Sequence, residues 1–445
     1  MLPDLNILPN LNISPKLNMQ PQLNVLPPPN ILPQPKCTRF LPSFSEESNL
    51  LNQLGYYYQD MRDFKNYFIR NCEVDKKYEA FKVWAHWLIR NLCEIPDNYH
   101  IIPNQKIADD PDISSHLKSK GTINVKEFYN EIVKRASEIH LKYDKLKISV
   151  LNDPTKVKLI SQYVKYSITY DDNMNRYHQY KFMNIYIKHN EIKHKKLISS
   201  YIGDEKSFNF YMFEVGFNYY ILDGHSLQWC IPPKVFETLQ TYLDVKTELF
   251  ASPLNASLPM YCSLFYVDKQ FSALDNFFNL DQKQILEGTF EINPPFIEKI
   301  FVKSSLMVID FLEKSQTYNK DLLFIYIMPD WLDSGGYQRL IKSHFLIDEI
   351  IFDAYKHFYY QSSNNSMVQA NFASHILVVG TQQSQSRWTD KVKNEIIKNF
   401  TCYDKKIHNN PIKENITQKE SNTPKELDTL KELDTPKELD TTQID

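Results

Sequence analysis

The sequence predicts an α/β protein with a mainly helical domain in front of it and a polar repeat at each end. Three observations carry this reading. Over 216–400, short continuous apolar runs alternate with helix-patterned segments, the rhythm of an open sheet covered by helices. Over 40–215, apolar residues recur mostly at three- and four-residue spacings. Residues 1–39 and 401–445 contain six-residue repeats with too few apolar groups to build a core, and are expected to be disordered.

Composition narrows the chemistry. The chain has 445 residues, enough for two or three domains, and 42% are hydrophobic. With only 9 Gly there is neither a GxGxxG nor a Walker A phosphate loop. A formal net charge of -3 excludes a whole-protein basic field for nucleic acid, though a local basic patch remains open. The 6 Cys form no CxxC pair and the 12 His no HExxH, which predicts reduced thiols and no metal site. No apolar run reaches the roughly 18 residues of a membrane span, and no leader pattern opens the chain. A soluble, intracellular protein without a membrane partner is expected, its nuclear or cytoplasmic placement left open.

Taken in order, Leu2-Pro3-Asp4-Leu5-Asn6-Ile7 starts the first repeat, and its regular prolines favour extended chain. From about Ser45, Leu54, Tyr57, Tyr58, Met61, Phe64 and Phe68 mark a helix, and Phe81, Trp84, Ala85 and Leu88 a second, stopped by Pro96. Phe128, Ile132, Ala136 and Ile139 share one face of a third, over Val125 to Leu141. Tyr163 to Tyr170 and Met183 to Ile187 alternate as strands do. The basic run from Lys188 through Lys193, Lys195 and Lys196 reads as a solvated hairpin or loop, with contact to RNA phosphate as the functional alternative. Pro233 opens a helix through Tyr242. Glu248-Leu249-Phe250 is a short strand that breaks at Ala251-Ser252-Pro253-Leu254-Asn255, a natural cofactor loop at a strand's carboxyl end. Thr289 to Ile292 leads into Asn293-Pro294-Pro295-Phe296 and a helix near 297–313. Leu322 to Met328 suits a strand buried on both faces, ended by Pro329-Asp330-Trp331; Phe345 to Phe352 and Ser374 to Val379 are further strands.

Asn293-Pro294-Pro295-Phe296 carries the chemistry. An exocyclic amine on adenine is a poor nucleophile, because its lone pair is delocalised into the ring. Two acceptors aimed at its hydrogens favour a more pyramidal nitrogen. Asn293 offers its side-chain carbonyl and Pro294 its main-chain carbonyl. The two prolines fix φ and preorganise these acceptors, and Phe296 can stack on the base. The residues thus suit alkylation of a planar amino group; an ordinary strand-to-loop turn is the plain alternative.

The tetrapeptide is one form of the (D/N)PP(Y/F/W) signature of S-adenosylmethionine-dependent amino-methyltransferases. The set Pro232-Pro233-Lys234-Val235-Phe236, Phe250 to Asn255, Tyr261-Cys262-Ser263, Gly288 to Phe296 and Phe324 to Trp331 resembles, in this order, the phosphorylated-CTD-interacting factor family. The resemblance covers roughly 215 to 385. It implies a Rossmann-like S-adenosylmethionine-dependent methyltransferase domain at 216–400, packed on a helical domain at 40–215. It implies methylation at N6 of the first transcribed 2'-O-methyladenosine (m6Am) beside the m7G cap of mRNA. Asn293 to Phe296 are then the catalytic loop, and Phe250, Ala251, Ser252, Pro253, Leu254 and Asn255 lie against S-adenosylmethionine. Asp268 and Asp275 are candidates for the ribose. Trp229, Asp330, Trp331, Lys193, Lys195 and Lys196 are candidates for capped RNA.

Some features depart from the family pattern. Asp330 stands where a glutamate is expected, and Phe271-Ser272-Ala273-Leu274-Asp275 lacks the family's Gly. No WW domain is seen near the N-terminus, so docking to a phosphorylated polymerase tail is doubted. The interval between Asn255 and Asn293 is too short for a full set of βαβ units of about 30 residues or more, so the sheet should be contracted there. Adenine in other RNA or DNA, a glutamine amide, and a non-catalytic binding protein on a methyltransferase scaffold are the alternatives.

Overall fold

The aromatic stripe of the first helix faces inward. A computed structural model describes residues 44–72, 77–93, 125–222, 229–281, 284–362 and 365–402. In α1 (Phe44–Asn71), Leu54, Tyr57, Tyr58, Met61, Phe64 and Phe68 are all buried. They meet Trp84, Trp87 and Leu88 of α2 (Lys77–Leu92) and Phe128, Ile132 and Ala136 of α3 (Val125–Leu151). Helix α3 runs well past the expected Leu141. Its buried face continues through Tyr143, Val150 and Leu151, and Lys147 forms a buried ion pair with Glu214. Tyr163 closes α4 (Pro154–Tyr163) rather than opening a strand; Asp153 caps that helix by accepting from the Thr155 N–H at 2.9 Å. The N-terminal repeat, Pro96 and the tail from 403 onward lie outside the described residues.

A three-stranded antiparallel sheet follows, made of β1 (Lys165–Tyr170), β2 (Arg176–Phe182) and β3 (Ile185–Asn190). The expectation of a loop or hairpin over the basic run is corrected here. Lys188 ends within β3, and Lys193, Lys195 and Lys196 lie on α5 (Glu191–Ser200), because the Asn190 side chain caps it through the Lys193 N–H at 2.9 Å. Helix α6 (Phe208–Leu222) is buried along most of its length and crosses the sheet closely at Gly216. A Cβ there would stand 2.2 Å from Cγ2 of Ile187. The expected boundary at 215/216 falls inside this helix.

The central sheet has the order β6 (Met260–Tyr261), β5 (Thr247–Glu248), β7 (Gly288–Ile292), β8 (Leu322–Pro329), β12 (Ser374–Gly380), β9 (Leu346–Phe352). Neighbours from β6 to β8 pair parallel, whereas β12 pairs antiparallel with both β8 and β9. Strands β8 and β12 are buried at every position, which explains their unbroken apolar runs. Helices α7 (Pro233–Leu243) and α10 (Asp390–Thr401) cover one face with Leu323, Ile325 and Ile327. Helix α8 (Glu298–Thr317) and α9 (Gly335–Ile341) cover the other with Leu322, Phe324 and Tyr326. A second, small antiparallel sheet has the strand order β11 (Ser366–Gln369), β10 (Phe358–Gln361), β4 (Trp229–Cys230). Among the described residues, β6 and two short 3-10 helices, Tyr266–Phe271 and Phe277–Asn279, intervene between β5 and β7, with no α-helix there. None of the described helices is long and apolar enough to cross a membrane.

Candidate active site

Parallel strands deliver their carboxyl ends to one edge of a sheet, where ligands of open α/β folds collect. Three expected segments leave from that edge: Leu249 to Asn255 after β5, Asn293 to Phe296 after β7, and Asp330-Trp331 after β8. Strand β12 runs the opposite way and pairs Ser374 with Pro329, so Asn371 and Phe372 just before it reach the same edge. Two cavities open there. The first is lined by Phe250, Ala251, Ser252, Asn255, Cys262, Ser263, Asn276, Phe277, Tyr219, Trp229, Asn293 and Pro295, with Ile89 and Cys93 from the α2 end. The second is lined by Asn293, Pro294, Pro295, Phe296, Trp229, Pro329, Trp331, Tyr359, Asn371 and Phe372, with Lys82 and His86 from α2.

Within the loop after β7, the Asn293 side-chain N–H donates to the carbonyl of Trp229 at 3.4 Å. That bond turns Oδ1 of the amide away as an acceptor. The Pro295 carbonyl accepts from the Ile297 N–H at 2.7 Å, which closes the turn and leaves the Pro294 carbonyl outside that bond. Phe296 sits edge-on to Trp331, Tyr359 and Phe372, with ring centroids 6.3, 6.2 and 5.6 Å away.

The loop after β5 is held differently. Oδ1 of Asn255 accepts from the Ser252 N–H at 2.7 Å and from its hydroxyl at 2.9 Å. Ala251 and Cys262 are joined through the Cys262 carbonyl at 2.9 Å. Phe250, Ala251, Ser252 and Asn255 reach the first cavity, whereas Pro253 and Leu254 are buried behind it. Neither candidate aspartate lines the cavity. Asp268 is fully buried and accepts from the Tyr219 hydroxyl at 2.7 Å and the Ser263 hydroxyl at 2.5 Å. Burial raises its carboxyl to about 7 against those hydrogen bonds. Asp275 pairs with Lys269 at 2.8 Å.

Two buried carboxyls stand side by side under this edge, since register pairs Glu248 of β5 with Glu291 of β7. Glu248 accepts from the Ser257 and Leu258 N–H groups at 2.5 and 2.6 Å, yet burial still raises it to about 7. Glu291 has neither oxygen hydrogen-bonded, and burial together with the Glu248 charge holds it well above the ordinary carboxyl range.

Trp229 faces both cavities and Trp331 the second. Asp330 turns away to His375, which it meets at 2.8 Å, while the other ring nitrogen of His375 meets Glu349 at 2.7 Å. Lys193, Lys195 and Lys196 line neither cavity. Lys195 pairs with Glu191 at 3.3 Å, and burial lowers the pKa of Lys193 and Lys196. Sequence reasoning missed Tyr219, Asn276, Phe277, Tyr359, Asn371, Phe372, Lys82 and His86. Only Lys82 and His86 left a local trace, as polar residues one turn apart on an otherwise aromatic helix.

A family model described as the phosphorylated CTD interacting factor 1 WW domain matches residues 184–362. The mouse protein named mRNA (2'-O-methyladenosine-N(6)-)-methyltransferase is 32% identical over 157 residues, covering 35% of this chain and 21% of the relative. The human protein of the same name is 32% identical over 161 residues, with the same coverages. The chain therefore spans about a fifth of the length of these curated relatives. The expectation that no WW domain is present is corrected by the family match, and the doubt about polymerase tail docking loses its ground. The expectation was placed at the N-terminus, whereas the matched region starts at the β2–β3 turn and ends before β12 of the central sheet. Residues 184–362, which hold both cavity-lining loops, are thus the part of this chain that is similar to the phosphorylated CTD interacting factor family.

Proposed function

We propose that the chain is an S-adenosylmethionine-dependent methyltransferase acting at N6 of the first transcribed 2'-O-methyladenosine, next to the m7G cap of mRNA. The observation that carries this reading is the shared wall: Asn293 and Pro295 line both cavities. A methyl donor on one side and a planar amine on the other would meet at one stiff loop. The first cavity fits an adenosine-containing cofactor. The side-chain N–H of Asn276 is buried there without a partner, while its oxygen accepts from the Phe278 N–H at 3.0 Å. That donor suits a ring nitrogen of adenine, the Phe250 and Phe277 rings suit its faces, and the Ser263 and Tyr219 hydroxyls, backed by Asp268, suit ribose. The proposed organisation is a helical domain over 40–215 and a Rossmann-like methyltransferase domain over 216–400, sharing α6.

Bound S-adenosylmethionine supplies an electrophilic methyl group. Oδ1 of Asn293 and the Pro294 carbonyl accept from the two hydrogens of the target amine, and Phe296 stacks on its base. Methyl transfer is an in-line displacement, so positioning dominates. No strong base is needed, because the alkylated amine is acidic. Trp229 and Trp331 offer aromatic faces to the base or the cap, and Lys82 a cation to the phosphates.

The test is full-length chain with S-adenosylmethionine and m7G-capped RNA beginning with A or with G. Methyl incorporation into the A-starting RNA alone is expected, and uncapped RNA should react poorly. Equal incorporation into both capped RNAs, or none, overturns the reading.

A further inference from the structure

We infer that the open face of the β1–β2–β3 sheet is a docking track for single-stranded RNA. Strand register sets Lys165, Lys181 and Tyr186 in one row across the sheet and Ser167, Gln179 and Lys188 in the next. Alternation fixes which way they point. Tyr180, Phe182, Ile185 and Ile187 are buried beneath, so Lys181, Tyr186 and Lys188 stand on the opposite, solvent side. Tyr186 is 59% exposed.

Three lysines on this face have no ion-pair partner among the described residues. Two acids flanking the sheet are committed elsewhere. Asp171 accepts from Asn173 and Asn175 in the β1–β2 turn, and Glu191 serves His178, Arg176 and Lys195. Like charges directly opposite on adjacent strands are destabilising, yet Lys165 faces Lys181. Edge protection accounts for lysines on β1 and β3; it does not account for Lys181 on the central strand. A polyanion laid across the face relieves the repulsion.

The exposed Tyr186 ring among the lysines selects the kind of polyanion. Unpaired bases stack on aromatic rings while cations track the backbone. A duplex, whose bases are paired and stacked inside, makes no use of that ring. The sheet rests on α6 near Gly216, and the same helix carries Tyr219 and Leu222 to the first cavity. The face is thus assigned to transcript beyond the first nucleotides, and in taking RNA as the polyanion it rests on the proposed reaction.

The test is fluorescence anisotropy of the full chain with a 5'-labelled 20-nucleotide single-stranded RNA. The variant Lys165→Gln/Lys181→Gln/Lys188→Gln should weaken binding about tenfold or more at low salt. Three lost phosphate contacts, at about 0.7 each for single strands, should lower the slope of log Kd against log salt by about 2. Tyr186→Ala should weaken binding roughly fivefold or more and leave that slope unchanged. Methylation of a capped tetranucleotide, too short to span the face, should proceed at the wild-type rate in both variants. RNA affinity unchanged in the triple variant overturns the track, as does an acidic phosphopeptide that competes for the face and binds it more tightly than RNA. Loss of RNA affinity in the variants of a chain that methylates nothing supports the track and sinks only the proposed reaction.

Discussion

The loops after β7 and β5 leave the same sheet edge and share a cavity, yet they are made rigid by different means. Asn293 to Phe296 is stiffened covalently, by two pyrrolidine rings and one short turn bond from Ile297 to Pro295. Phe250 to Asn255 is stiffened by a side chain, the Asn255 carboxamide that takes both polar hydrogens of Ser252. In the first loop the atoms assigned to the target amine are those of the loop itself. In the second the cavity wall is shared with Tyr219, Ser263, Asn276 and Phe277, brought in from separate elements. Under the proposed function the difference divides the labour: the β7 loop is assigned the rate, and the β5 loop with its borrowed partners the cofactor affinity.

Asn293→Ala is the strongest way to break that division. Removing one preorganised hydrogen-bonding group at a reacting centre typically costs about 100- to 1,000-fold in kcat. A loss of that size is expected in single-turnover assays with capped RNA. Calorimetry should find S-adenosylmethionine affinity changed by no more than a few fold, because among the described residues the only hydrogen bond lost is the 3.4 Å contact to Trp229. Turnover at the wild-type rate removes Asn293 from the reaction, and a matching collapse of cofactor affinity erases the contrast between the loops.

The same contrast explains what the sequence let us read. The place of Asn293 to Phe296 at a cavity wall was legible because the four residues are contiguous and their stiffness is written as proline. Strands β8 and β12 were legible because burial on both faces demands unbroken apolar runs. The partners of the β5 loop were not, since nothing local to Tyr219 or Asn276 marks either as a cavity wall. Helix α5 was hidden by its charge: Lys193, Lys195 and Lys196 read as a solvated loop, while the decisive signal was the single cap at Asn190. Asp268 was legible as an acid near the first cavity, but its position behind Ser263 and Tyr219 is a tertiary fact.

Asn255→Ala sharpens the comparison from the other side. It leaves the buried N–H and hydroxyl of Ser252 without that acceptor, at a cost of about 1–3 kcal/mol. A fall of a few degrees in Tm is expected, with about tenfold weaker S-adenosylmethionine binding by calorimetry. At saturating cofactor, kcat should stay within a few fold of wild type. A kcat loss as large as that of Asn293→Ala makes the two loops one functional unit.

Asp268 gives the smallest effect and tests the hydrogen-bonded side alone. Its carboxyl lies at about 7 against an ordinary value of 3.8, raised by burial. The folded chain therefore keeps a proton that the unfolded chain releases. The stability this contributes is complete below about pH 3.8 and is lost as pH rises through about 7. Inside that window the slope is at most about 1.4 kcal/mol per pH unit. In Asp268→Asn an amide oxygen still accepts from Tyr219 and Ser263, but the group no longer titrates. Thermal melts at pH 6 and pH 7 should show a smaller drop in Tm for the variant than for wild type. A residual slope should remain, because Glu248 is also raised by burial to about 7 and is untouched. Equal drops in the two proteins mean that Asp268 is already ionised in the folded chain, and that the hydroxyls of Tyr219 and Ser263 lean on a full charge.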